Sequence, residues 1–168
     1  MAADHLATYL NDHLAGAVAA LEMLEELEKH YAGTPVERVA TGLRVDVEAD
    51  RRELEGLMRR LGVTQSGPRK ATAWLAERAA RLKLRLDDPD GGTFRLLESI
   101  EAVALGIDGK RALWASLATV AESVPALRGL DYARLTERAE EQRRLAETAR
   151  LDAARAALGA PREAFGSG

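Results

Sequence analysis

Cysteine is absent from the 168 residues. That excludes disulfides, iron–sulfur ligation and a thiol nucleophile, and a reducing cytoplasm is the compartment expected of such a chain. Aromatic side chains are scarce, at two Phe, two Trp and three Tyr, so the core has to be assembled from small aliphatic residues at helical spacing, which favours an all-α protein. Long apolar runs are missing as well. The longest uncharged apolar stretch, Leu14 to Leu21, falls far short of the roughly 20 residues that span a bilayer. The opening residues also lack a basic leader followed by an apolar segment. Neither a membrane span nor secretion is expected. No sign of charge dominates, because 24 Lys and Arg face 27 Asp and Glu for a net −3; nucleic acid is therefore not an expected partner.

Proline occurs five times, and its placement organises the chain. Pro35, Pro68, Pro89, Pro125 and Pro161 each sit in a short breaker cluster with Gly, Ser, Thr or Asp, which leaves five helical segments in one domain spanning 1–168. The spacing of apolar residues predicts helices over about 4–31, 35–61, 68–86, 93–123 and 131–158. Thr34-Pro35-Val36-Glu37 reads as a capping box at the start of the second helix. The third segment, Pro68 to Leu86, is the most basic part of the chain; it reads first as a crossover element lying over the bundle with its arginines solvated, and contact with an anionic partner is the weaker alternative. The fourth contains Gly106 and Gly109. Each costs a helix interior up to about 1 kcal/mol relative to Ala, so close helix packing is expected beside them, or else a kink or a nearby ligand.

Four long segments joined by a short turn, a long connection and another short turn describe a four-helix bundle with one crossover carrying an extra short helix. With the stretches Leu10 to Leu14 and Glu55 to Met58, this pattern resembles the ferritin-like superfamily. The stretches GIDGKRALW (Gly106 to Trp114) and RAEEQ (Arg138 to Gln142) are similar to those of small bacterial ferritin-like proteins without assigned function.

The resemblance implies a di-metal centre in the bundle, built from one Glu on each of two helices and a Glu-x-x-His pair on each of the other two. This chain departs from that pattern. Ala17 stands at the first Glu position, Asp50-x-x-Glu53 replaces one Glu-x-x-His pair, and Glu141-x-x-Arg144 replaces the other. His5, His13 and His30 all fall on the first helix. The remaining oxygen donors for iron or manganese are Asp50, Glu53, Glu101, Asp108 and Glu141. Phosphate loops, H-E-x-x-H and nucleophile elbows are absent.

Without any family, the apolar stripes still contain polar members: His13, Asp50 and Gln142, with Arg111 beside the stripe of its own helix. Buried charge is costly unless paired, so these four residues are expected to form a shared network, with Asp50–Arg111 or Asp50–His13 as its central pair. The expected protein is thus a non-catalytic ferritin-like bundle of interaction or structural function that has lost its metal centre and needs no cofactor. It is open to homo-oligomer formation through Ala-rich helix faces. The alternative is a carboxylate-rich ferritin-like oxidoreductase using iron or manganese.

Overall fold

In a computed structural model, residues 2–65 and 92–159 are described, and among them the chain is helical with no strand. The long helices are α1 (Ala2–His30), α2 (Pro35–Arg60), α3 (Gly92–Val120) and α4 (Tyr132–Leu158), with a single 3-10 turn at Pro125–Leu127 before α4. These bounds follow the periodicity closely, and α3 stops three residues before the expected Ser123. The basic segment expected over 68–86 lies outside the described residues.

Local chemistry explains where each helix stops. Gly33 takes φ +79 and ends α1, a left-handed backbone that residues with a Cβ rarely adopt. The capping box at the next helix forms differently from its expected pattern. Glu37 reaches back to the Gly33 N–H at 2.6 Å, not to that of Thr34, and the Thr34 hydroxyl donates to the Tyr31 carbonyl at 2.6 Å. Thr34 therefore closes α1 and makes no side-chain cap on α2. Past Leu61, Gly62 with φ +65 completes a Schellman closure: Gly62 N–H donates to Arg59 O and Val63 N–H to Met58 O. Asp131 caps α4 by accepting from the Arg134 N–H at 2.9 Å.

Cross-helix contacts fix the directions. Tyr9 meets Ser116 and Tyr31 meets Gly92, so α3 runs antiparallel to α1. Glu53 meets Arg134 near the start of α4, while Glu101 meets Arg150 near its end, so α4 runs antiparallel to both α2 and α3. Consequently α2 and α3 point the same way, and the end of α2 lies at the opposite end of the bundle from the start of α3. The packed neighbours are α1 with α2, α3 with α4, α1 with α3, and α2 with α4.

The apolar interior falls into two main clusters. Met23, Leu24, Leu27, Leu43, Val47, Val103, Ile107 and Ala146 fill one half; Leu10, Leu14, Leu54, Leu57, Met58, Leu113, Trp114, Leu117 and Leu135 fill the other. Burial of each large aliphatic side chain contributes about 1.5–3 kcal/mol. The level between Val47 and Leu54, Ile107 and Leu113, and Leu135 and Ala146 is polar, and the candidate site lies there.

Candidate functional site

Asp50 is 2% exposed and Gln142 is 1% exposed. Burial of an unpaired carboxylate is prohibitive, so its partners decide whether the helices associate at all. Lys110 Nζ donates to Asp50 Oδ2 at 2.5 Å and Gln142 Nε2 donates to the same oxygen at 3.0 Å. Arg138 Nε donates to Oδ1 at 2.8 Å, and a second guanidinium N–H of Arg138 donates to that oxygen too. Lys110 also donates to Gln142 Oε1. One carboxylate, one amide and two cations from α2, α3 and α4 thus form a closed polar layer. Lys110, with its side chain 12% exposed, reaches Asp50 on α2, a helix that α3 does not pack against as a neighbour. Burial lowers the Lys110 pKa, and the Asp50 charge opposes that shift.

Of the four residues expected in a network, Asp50 and Gln142 meet. Arg111 does not join them: half exposed, it pairs with Glu140 at 3.8 Å. His13 makes no hydrogen bond to Asp50 and faces it only across the cavity described below; it stands edge-on to Tyr9 with ring centroids 4.6 Å apart, and burial lowers its pKa while Asp12 raises it. The cationic partners of Asp50 are Lys110 and Arg138, which the stripe reading missed. Lys110 stands three residues after Ile107 and four before Trp114, and Arg111 four after and three before. Both satisfy helical spacing equally, but α3 buries Val103 and Leu113 as well, which turns its inner face toward position 110. Both missed cations belong to the quoted stretches GIDGKRALW and RAEEQ.

The carboxylates considered for metal binding do not converge. Glu53 pairs with Arg134 at 2.8 Å, Glu101 with Arg150 at 3.4 Å and Asp108 with Arg143 at 3.0 Å, and Glu141 is exposed. Among the described residues no group of three His, Asp or Glu side chains is arranged to hold a metal ion. The set does not fit the di-metal pattern, because the one deeply buried acid among them already has both oxygens occupied by cationic and amide donors.

Beside the polar layer lies a cavity of about 200 Å³ between α1, α2 and α3. It exists because α1 offers Gly16, Ala17 and Ala20 at this level while α3 offers Gly106 and Gly109. The close packing expected at the two α3 glycines is not found. A Cβ at Gly106 would make an ordinary 4.0 Å contact with Ala20, and one at Gly109 would meet nothing within 4 Å. Asp50, Lys110, His13 and Trp114 line the same space.

Among the described residues no helix is long and apolar enough to cross a membrane. No family model, curated protein or solved structure matches this chain.

Proposed function

We propose that this chain is a ferritin-like bundle in which fixed protein cations stand where the superfamily carries metal charge, and that it acts non-catalytically, as an interaction or structural protein. The observation that carries this reading is the saturation of Asp50. Its two oxygens accept from Lys110, Arg138 and Gln142, and a divalent ion at that carboxylate would have to displace two positive charges that have no other buried carboxylate among the described residues to pair with. Ala17 and Arg144, at two of the remaining family positions, offer no ligand. The shared direction of α2 and α3 supports the ferritin-like part of the reading, since it requires one connection running the length of the bundle.

Metal analysis of protein expressed with added iron and manganese tests the proposal. The expected result is no stoichiometric metal, in the wild type and in Asp50→Ala/Glu53→Ala alike. Stoichiometric metal that disappears in the double variant, with helicity retained by circular dichroism, overturns it in favour of the iron or manganese oxidoreductase.

A further inference from the structure

The cavity between α1, α2 and α3 presents mostly apolar surface, although charged residues stand around it. Val47, Leu54, Ile107 and Leu113 supply side-chain carbon to its wall. Asp12, Asp50, Arg51 and Lys110 border it as well, two acids against two bases, so the lining has no net charge to complement. Three of these four are held by other side chains. Asp50 and Lys110 pair within the polar layer, and Arg51 pairs with Glu48 at 3.0 Å and with Glu55 at 3.8 Å. The fourth, Asp12, is half-buried. The Trp114 Nε1 and Arg51 Nε make no hydrogen bond, but both atoms are buried in the packing and offer no donor to the space. A charged guest of either sign therefore competes with ion pairs already made: an anion at Lys110 contends with Asp50, and a cation at Asp50 contends with Lys110 and Arg138.

Apolar walls hold water poorly, and a dry cavity of about 150 Å³ lined by aliphatic side chains admits benzene. At about 200 Å³ the space here takes one ring with a small alkyl substituent. Leu105 borders it and is 50% exposed, which sets the mouth of the cavity at the surface and gives a guest a way in. An apolar guest leaves water and restores the dispersion contacts that the empty space denies to its lining.

We propose that this cavity binds a small uncharged apolar molecule, of the size and chemistry of an alkylated benzene ring, seated against Leu54, Ile107 and Leu113 with the Asp50–Lys110 pair left intact beside it. Such a guest leaves every ion pair of the lining in place, whereas a charged one has to give up its own water and find no free counter-charge in return. This inference goes beyond the reading of the bundle as a metal-free ferritin-like protein and does not depend on it: metal content and ligand binding are measured separately and fail separately.

The chain has two isoleucines, Ile100 and Ile107, and they make an internal control for the test. Ile107 lines the cavity, while Ile100 packs in a separate cluster with Leu97 and Ala153. The full chain, labelled at the isoleucine δ-methyl groups, is titrated by NMR with toluene and with its charged counterparts benzoate and benzylamine; Ile107→Val assigns the two signals. Toluene is expected to shift the Ile107 methyl by its ring current and to saturate with a Kd of about 1 mM or lower, within the range open to so small a ligand, with Ile100 unmoved. Benzoate and benzylamine are expected to bind about tenfold or more weakly. Ala17→Leu and Gly109→Leu each put a side chain into the space from a different helix, and each is expected to abolish the Ile107 response with the helical circular dichroism spectrum retained. Either charged compound binding as tightly as toluene overturns the assignment of a neutral guest. No Ile107 response to toluene in the wild type overturns the site, as do equal shifts of Ile100 and Ile107, or toluene binding unchanged in both variants when folded.

Discussion

Replacing Lys110 by Met tests the polar layer most directly. Methionine keeps most of the side-chain length and removes the ammonium, so Asp50 loses the 2.5 Å donor to Oδ2 and Gln142 Oε1 loses its donor as well. Breaking a buried ion pair costs about 3–5 kcal/mol when the remaining charge is uncompensated. Here Arg138 continues to neutralise Asp50, which places the expected cost near the lower limit, about 3 kcal/mol. For a domain of this length that loss corresponds to roughly 6–12 °C in Tm. Asp50→Leu is expected to cost about 2–3 kcal/mol, because Lys110 is left with an amide as its buried partner, whereas Arg138, 21% exposed at its side chain, turns to water. The double variant Asp50→Leu/Lys110→Met removes both charges together. It is expected to cost about as much as either single change, which gives a coupling of about 2–3 kcal/mol. Equilibrium urea unfolding followed by circular dichroism supplies all three values. Additivity within about 0.5 kcal/mol would refute the reasoning, since it would mean that Lys110 and Asp50 do not neutralise one another in the fold.

Gly109→Ala is expected to stabilise the protein by about 0.5–1 kcal/mol, because a Cβ there meets nothing and the helix gains propensity; a lower urea midpoint would contradict the open space beside it. Asp131→Ala removes the acceptor for the Arg134 N–H, and an expected loss of about 1 kcal/mol appears as a lower midpoint with unchanged slope. His13 gives a pH dependence whose sign follows from burial. Its folded pKa lies below the ordinary 6.5, so the unfolded chain binds the extra proton first and stability falls as pH drops through the window below about 6.5. His13→Gln is expected to flatten this part of the difference between midpoints at about pH 7.5 and about pH 5.5, and a slope identical to wild type would show that His13 is not the group responsible.

Much of the bundle was legible in the chain. Helix positions followed from apolar residues three and four apart and from breakers such as Gly33, Gly62 and Asp131, because helix formation and its termination are governed by contacts within a few residues. The buried status of Asp50 and Gln142 was legible for the same reason: each interrupts an otherwise apolar stripe. The identity of their partners was not. Lys110 and Arg111 fit the periodicity of α3 equally, and α3 is apolar over so much of its circumference that spacing alone does not select its inner face.

The cavity was still further from view. Gly106 and Gly109 marked a place where something other than ordinary packing was expected, but small residues serve both a tight crossing and a void. Which of the two arises depends on the distance between α1 and α3, and that distance is set by larger side chains a turn or more away, such as Trp114 and Leu14. Local periodicity and capping thus determined which segments are helical and, except for the broadly apolar α3, which faces turn inward. The pairing of Asp50 with Lys110 and Arg138, the separation of the other carboxylates into individual ion pairs, and the space beside Trp114 were decided by the tertiary structure, because each depends on the rotation and spacing of helices far apart in sequence.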